Sequence, residues 1–322
     1  MHEEWVIGVD VGGTKVAAGF VNALGEMGTL TRTTMNPRGT AAEGLAAVTE
    51  AIDALRRASP ATKVERIGIC APGPLDPASG IILNPPNVPC WRDFPLGAEI
   101  AARYRVRSRI ENDANAATLA ESLWGAGRGY RNVFYACIGT GIGTGLVQGG
   151  RIYGGRTGSA LEGGHVTIDF RGPQCACGKL GCIEALASGP AIARRGREAA
   201  VADPARAVAL AAAAQGDLQR LRSEMIGRAA AAGDALAQQV IFETLDYLAV
   251  WLGNIVDLLE PDVMILGGGV AQLLQPYFGE LQTRMKKWCV NGRCAEIPLV
   301  PAHYGENAGV AGGAALCYGE QR

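Results

Sequence analysis

Two glycine-rich segments with the same sequence pattern constrain the fold of this chain most strongly. Residues 13–21 read GTKVAAGFV and residues 139–147 read GTGIGTGLV, and they align without a gap at an offset of 126 residues (139 − 13). Each segment follows an apolar run, Trp5–Val11 or Val133–Ile138, and leads into a second one, which is the pattern of a hairpin of buried strands. A repeat at domain-sized spacing predicts two similar α/β halves facing one another, although glycine-rich hairpins can also resemble each other by chance.

The remaining segments alternate between strand and helix patterns. A helix is predicted over Ala41–Arg57, a strand over Val64–Ala71, and a strand over Arg105–Ile110 followed by a helix over Asn115–Trp124. Further along we predict a loop over Ile81–Trp91, helices over Ile192–Gln239 (with breaks near Pro204 and Gly216) and Gln238–Leu259, a strand over Val263–Leu266 and a closing helix over Gly309–Leu316. The fold class is therefore α/β with mixed sheets.

Composition narrows the function classes. The 322 residues suggest about two domains, with 48% hydrophobic and 19% charged residues, enough for a buried core. The formal net charge of −1 gives no electrostatic footprint for nucleic acid. No apolar run is long enough to cross a membrane, and the acidic start is not a signal peptide. Nine cysteines without secretion signals fit a reducing compartment, so we expect a soluble cytoplasmic protein.

Both glycine turns have the chemistry of phosphate binding. In the first turn, Gly12 and Gly13 let backbone N–H groups approach an anion, while Thr14 and Lys15 add side-chain donors. Asp10, at the end of the strand, would be the partner for Mg²⁺ carried by nucleotide phosphates. The second turn repeats this design with three residues, Gly139, Thr140 and Gly141. Neither turn has the spacing of a Walker loop or opens a helix as a dinucleotide fold requires, so we expect the pair to grip one polyphosphate from two sides.

A cluster of cysteines predicts a metal site. Cys175, Cys177 and Cys182 lie within eight residues, and His165 precedes them by ten. Three thiolates and one imidazole complete a tetrahedral Zn²⁺ site and leave no open position, so this zinc would be structural. The alternative is that these are ordinary small apolar residues, as Cys70, Cys137 and Cys317 are expected to be.

Carboxylates next to this cluster, and one at a strand–helix junction, are candidates for binding a polyol and for catalysis. Glu162 lies three residues before His165, and Glu184 lies two residues after Cys182. Asp113 lies where the strand ends and the helix begins. A carboxylate there could cap the helix or act as a firmly held general base, and the sequence alone leaves both roles open.

These motifs resemble those of the ROK family, the bacterial glucokinase and hexosamine-kinase group within the actin/hexokinase/Hsp70-type ATPases. The resemblance covers essentially the whole chain. It rests on 10–15 (DVGGTK), 71–76 (APGPLD), 84–87 (NPPN), 111–115 (ENDAN), 139–145 (GTGIGTG), 162–165 (EGGH), 175–184 (CACGKLGCIE) and 266–270 (LGGGV).

The resemblance implies a fold, a reaction and a set of site residues. The fold would be the two-lobed actin-like ATPase (ribonuclease H-like) fold, with residues 1–112 plus 305–322 as a small lobe, residues 113–304 as a large lobe and a cleft between them. The reaction would be ATP-dependent phosphorylation of a free hexose at its 6-hydroxyl, with Asp113 as the base. Sugar-binding positions would be Gly73, Asn87, Asn112, Asp113, Glu162, His165 and Glu184. The nucleotide would lie against the turns at Asp10 and Gly139 and against Gly267, Gly268 and Gly269, and the protein would be a homodimer or homotetramer.

Other functions remain open at this point. The same chemistry could act on N-acetylmannosamine, N-acetylglucosamine, fructose or allose instead of glucose. A sugar-responsive transcriptional regulator of the same family would need a helix-turn-helix domain before the first hairpin, for which a strand beginning at Trp5 leaves no room. A non-enzymatic zinc scaffold would leave both phosphate turns without a use.

Overall fold

The computed structural model describes residues 4–60 and 62–319. Its strands are β1 (Trp5–Val11), β2 (Lys15–Asn22), β3 (Met27–Thr34), β4 (Arg66–Ala71), β5 (Leu75–Asp76), β6 (Ile81–Ile82), β7 (Arg107–Asn112), β8 (Asn132–Ile138), β9 (Ile142–Gln148), β10 (Arg151–Ile152), β11 (Val263–Gly267) and β12 (Leu299–Pro301). Its α-helices are α1 (Ala41–Ala58), α2 (Leu96–Tyr104), α3 (Asp113–Leu123), α4 (Ile183–Ala187), α5 (Gly189–Ala202), α6 (Val208–Ala213), α7 (Ser223–Ala231), α8 (Ala235–Leu259), α9 (Gly269–Leu274), α10 (Phe278–Met285) and α11 (Ala308–Tyr318).

Contacts divide the described chain into two compact units. The first holds the residues up to Tyr135, residues 145–161 and the residues from Ala302 onward. The second holds residues 136–144 and 162–301. The lobe boundaries expected from the family resemblance, and the cleft between the lobes, stay predictions.

The two five-stranded sheets have the same strand order. One has the order β3-β2-β1-β4-β7 and the other β10-β9-β8-β11-β12, so each places its first strand third and its second and third strands on one side. In the first sheet, β1, β2 and β3 pair antiparallel, whereas β1 pairs parallel with β4 and β4 with β7. The internal repeat predicted from the glycine segments is thus present in the order of the strands.

Strand alternation in β1 divides the first sheet into two buried faces. Ile7, Val9 and Val11 lie in a core cluster with residues of α1 such as Val48 and Ile52. The opposite face carries a smaller cluster, with Val6 of β1 against α11. Helix α1 begins at a capping box, in which the side chains of Thr40 and Glu43 each accept a backbone N–H.

Glycines let α11 approach the sheet backbone to backbone. A Cβ added to Gly8 would lie 2.0 Å from the carbonyl oxygen of Val310, and one added to Gly68 would lie 1.8 Å from that of Gly313. No side chain fits at either distance, so these glycines set how deeply α11 packs. This packing brings the N-terminus of α11 to the end of β1.

The structure corrects the loop predicted over residues 81–91 and divides the helical stretch predicted over residues 192–239 into several helices. Ile81–Trp91, predicted as a loop, contains the short strand β6, which pairs antiparallel with β5. The Ala-rich stretch Ile192–Gln239 is helical as predicted, but it is divided among α5, α6, a 3₁₀ turn and α7. The following helix begins at Ala235, three residues before its predicted start at Gln238, because the Asp234 side chain caps it by accepting the N–H of Ala237 at 2.8 Å.

Candidate active site

In the first unit, parallel pairing brings the carboxyl ends of three strands to one edge. Asp10 of β1 lies opposite Cys70 of β4, and Cys70 lies opposite Glu111 of β7. One residue further, Ala71 pairs with Asn112, so Gly73 and Asp113 follow directly beyond this edge. Open α/β sheets present ligand-binding groups at the carboxyl ends of their strands.

The first glycine turn is compact and its donors are exposed. The N–H of Gly12 donates to the carbonyl oxygen of Lys15 at 2.9 Å, which closes the turn between β1 and β2. Thr14 and Lys15 are both exposed. A Cβ at Gly13 would lie 3.0 Å from the carbonyl oxygen of Asn87, so this position favours glycine and the predicted sugar-binding loop lies against the turn.

Asp10 is a partly buried carboxyl group whose surroundings suit a cation. Burial raises the pKa of Asp10, and the Cys70 thiol and the Lys15 ammonium only partly offset that rise. A divalent cation beside this carboxylate would favour its charged form and lower the pKa again. Carboxylate oxygen is also the ligand type that Mg²⁺ prefers, so the residue present fits the predicted role.

Cys70 contacts this carboxylate directly, although the sequence indicated only a small apolar residue. Its Sγ lies 3.5 Å from Oδ1 of Asp10 and 3.1 Å from the carbonyl oxygen of Gly309, the second residue of α11. Burial, followed by the charges of Asp10 and Asp113, raises the pKa of the Cys70 thiol well above its ordinary value. The thiol therefore stays protonated and donates a hydrogen bond at the edge that carries both carboxylates.

At the junction of β7 and α3, the N-cap of the helix is Asn112 and not Asp113, and the role of Asp113 as general base stays a prediction. Asn112 is the N-cap, and its Oδ1 accepts the N–H groups of Ala114 at 3.0 Å and Asn115 at 3.3 Å. Asp113 is the first helical residue and is exposed, while its Oδ1 accepts the N–H of Ala114 at 2.8 Å. A Cβ at Gly73 would lie 3.5 Å from Nδ2 of Asn112. Gly73, Asn112 and Asp113 therefore form one local group.

In the second unit, the turn Gly139–Gly141 lies beside two other backbone segments. The N–H of Gly189, at the start of α5, donates to the carbonyl oxygen of Gly139 at 2.8 Å. Gly268 has a φ of 86°, and a Cβ there would lie 2.4 Å from the carbonyl oxygen of Ile138. Only glycine accepts that conformation at that distance, so Gly267–Gly269 lies against the second turn. Its role in a nucleotide pocket stays a prediction.

The predicted zinc ligands come together in the second unit. The ligand atoms of His165, Cys175, Cys177 and Cys182 all lie within 4.8 Å of one another. Sγ of Cys175 is 3.6 Å from Nδ1 of His165, and Sγ of Cys177 is 3.7 Å from Sγ of Cys182. Zinc–sulfur bonds of about 2.3 Å in a tetrahedron separate their ligands by about 3.8 Å, so this donor set fits Zn²⁺.

Glu184 connects this cluster to the second glycine turn. Its Oε2 accepts the N–H of Ile142 at 2.8 Å, directly after Gly141. Its Oε1 lies 3.9 Å from Nδ1 of His165. Glu162 is exposed and precedes the 3₁₀ turn Gly163–His165, so Glu162 and His165 stand at the two ends of one short turn.

The predicted site residues thus form two groups, one in each unit. The first unit groups Asp10, Gly12, Gly13, Thr14, Lys15, Gly73, Asn87, Asn112 and Asp113, and the second groups Gly139, Thr140, Gly141, Glu162, His165, Cys175, Cys177, Cys182, Glu184, Gly267, Gly268 and Gly269. Across the described ranges, the helices lack the combination of length and apolarity needed to cross a bilayer.

The fold and its two glycine-turn groups define the class of actin-like α/β kinases, and the predicted fold class is confirmed. The chain belongs to the ROK family, whose model matches residues 6–320. A glucokinase from Streptomyces coelicolor is 34% identical over 312 residues, which cover 96% of each chain. A crystal structure of a ROK glucokinase from Streptomyces griseus in complex with glucose and AMPPNP is 32% identical, with a TM-score of 0.82 over 97% of this chain and 98% of that one.

Relatives with other functions are also similar. An N-acetylmannosamine kinase from Escherichia coli is 31% identical over 98% of this chain and 99% of its own length. A xylose repressor from Bacillus subtilis is 30% identical over 76% of this chain, and the match covers 59% of the repressor.

Proposed function

We propose that this protein transfers the γ-phosphoryl group of ATP to the 6-hydroxyl of a free hexose, with glucose as the substrate. The observation that carries the proposal is Asp113, which is exposed on the first turn of α3 beside the Asn112 cap. Near-full-length similarity to glucokinases, among them one crystallised with glucose and AMPPNP, supports the choice of sugar and nucleotide.

In this proposal Asp113 acts as general base. It accepts the proton of the attacking 6-hydroxyl, an effect that typically contributes about 10²–10⁴-fold to the rate. The proposed sugar-binding residues are Gly73, Asn87, Asn112, Glu162, His165 and Glu184. Carboxylates and an imidazole suit several hydroxyl groups.

The glycine turns and Asp10 would bind the nucleotide. The N–H groups of Gly12 and Gly139 close their own turns, by donating to the carbonyl oxygens of Lys15 and Gly141. Glycine at positions 13 and 141 keeps both turns free of side-chain bulk, so that phosphate oxygens can approach the turn backbone. Asp10 would hold Mg²⁺, which neutralises phosphate charge during phosphoryl transfer. Besides the base, phosphoryl transfer asks mainly for in-line positioning and neutralised phosphate charge.

His165, Cys175, Cys177 and Cys182 would hold a structural Zn²⁺. Four protein ligands leave no open coordination position, so the metal orders the loop and takes no part in the transfer. The ring of His165 faces the cluster through Nδ1, which leaves Nε2 for a sugar hydroxyl. The homodimeric or homotetrameric state and the cytoplasmic location stay predictions.

A second candidate is a sugar-responsive regulator, favoured by the similarity to a xylose repressor. A sugar sensor needs a sugar site but no general base and no phosphate turns. The exposed carboxylate of Asp113 and the two glycine turns therefore favour the kinase.

A coupled assay of ADP release tests the proposal. With Mg²⁺-ATP, we expect kcat/KM to be highest for glucose among glucose, N-acetylmannosamine, N-acetylglucosamine, fructose and allose. The matched control is 6-deoxyglucose, which lacks only the acceptor hydroxyl and should give no sugar-dependent ADP. No sugar-dependent ADP release across the panel would contradict a kinase, and a preference for an N-acetylated sugar would correct the substrate.

A further inference from the structure

Two buried polar side chains flank Asp113 in the chain. Glu111 is the penultimate residue of β7 and is 9% exposed, and Asn115 is the third residue of α3 and is 3% exposed. Burial raises the pKa of the Glu111 carboxyl. Burying such groups costs free energy unless they gain good hydrogen bonds.

One oxygen of Glu111 connects the two sides of Asp113. Its Oε1 accepts the backbone N–H of Asn112 at 2.8 Å and the side-chain Nδ2 of Asn115 at 3.1 Å. The carboxylate therefore reaches from the residue before Asp113 to the residue two positions after it. Together with the Asn112 cap, this contact fixes the backbone of the helix turn that carries Asp113.

The contact between Glu111 and Asn115 is not the arrangement that would give the highest stability. Among the described residues, Oδ1 of Asn115 is buried without a hydrogen-bond partner, so the contact leaves a polar atom unsatisfied. Apolar side chains of similar volume would fill the same space without that cost. A buried polar atom without a partner calls for an explanation in a native structure, and a role in a catalytic site is one such explanation.

We propose that Glu111 and Asn115 are positioning residues that hold Asp113 in the orientation needed for general base catalysis. This proposal rests on the proposed kinase function. Neither residue needs to touch the sugar or the nucleotide, because both act through the backbone of Asn112 and the first turn of α3. Releasing that turn should change the direction of the Asp113 carboxylate more than it disturbs the Asn112 side chain, because that side chain keeps its own cap hydrogen bonds to the N–H groups of Ala114 and Asn115.

A matched pair of substitutions separates positioning from stability. Glu121, near the other end of α3, is also a buried carboxylate, and it accepts the backbone N–H groups of Ala126 at 2.8 Å, His303 at 2.8 Å and Tyr304 at 3.1 Å. Glu111→Leu and Glu121→Leu both remove such an acceptor and should both lower the melting temperature. Only Glu111→Leu should lower kcat, by about 10–100-fold with glucose KM changed less than about threefold, since misplacement by about 1 Å can cost that much.

Two further variants keep the test decisive. Glu111→Gln retains an acceptor oxygen and should recover part of the lost kcat. Asn115→Leu removes the side-chain donor with little change in volume, so it should lower kcat even where Glu111→Leu fails to fold. If kcat of Glu111→Leu and Asn115→Leu matches that of Glu121→Leu, the positioning role is wrong.

Substitution of the proposed base, Asp113, provides the last test. In an Asp113→Asn background, adding Asn115→Leu should lower kcat no further, because a positioning residue has no effect once its target is gone. A full additional loss in that background would overturn the proposal and indicate a structural role. Unimpaired turnover of Asp113→Asn alone would instead contradict the proposed function, so the two failures are distinguishable.

Discussion

Single residues differ in how far the sequence could predict their role. The clustering of His165 with Cys175, Cys177 and Cys182 could be predicted because their spacing is local, and the structure places Cys175 against His165. The role of Cys70 could not be predicted, because its contact with Asp10 exists only through the pairing of β1 with β4. That Asn112 and not Asp113 caps α3 also depends on backbone geometry that residue types do not encode.

At the scale of single residues, the proposed zinc site leads to a direct prediction. Purified protein should contain about one zinc per chain, and Cys177→Ser should lose it and melt at a lower temperature, because metal binding at such sites contributes folding free energy. Glucose KM should rise, since Glu184 and His165 both lie at the cluster. Metal analysis and thermal melting check this, with Cys289→Ser, outside the cluster, as control. Zinc-free protein of full stability and activity would contradict it.

Helices and strands were predicted well where the periodicity of apolar residues was strong, and poorly where the segment was short. The limits of β1 matched the prediction, and those of α1 differed by one residue, because an apolar run and an amphipathic repeat each mark one structure. Helix α2 was not predicted, since its nine residues lie between proline-rich and arginine-rich segments. Helix α11 was predicted from small residues, but its depth of packing depends on glycines in other elements.

The close contact between α11 and the first sheet predicts that the stability of the protein is sensitive to substitution of Gly68. Gly68→Ala places a methyl group against the carbonyl oxygen of Gly313, so it should destabilise the protein by about 3 kcal/mol. Gly279→Ala, on an exposed part of α10 with nothing within 4 Å, should instead stabilise it by about 0.4–1 kcal/mol. Thermal or urea unfolding measures both, and equal effects would show that α11 does not pack as described.

At the scale of the whole molecule, the internal repeat carried the most information. Two matching nine-residue segments predicted two similar halves, and two five-stranded sheets of the same strand order bear this out. The family also follows from motifs spread over the chain, as the match over residues 6–320 confirms. The preferred hexose does not follow from these features, because relatives at 30–34% identity include glucokinases, an N-acetylmannosamine kinase and a repressor.

The most direct test of the account compares glucose binding with turnover in Asp113→Asn. This substitution keeps the size of the side chain and replaces the carboxylate with a neutral amide that cannot accept the proton. We predict a Kd for glucose within about threefold of wild type by calorimetry, and a kcat lower by about 10²–10⁴-fold in the ADP-release assay. Turnover at the wild-type rate would contradict the assignment of Asp113 as the base, and with it the kinase mechanism proposed for this protein.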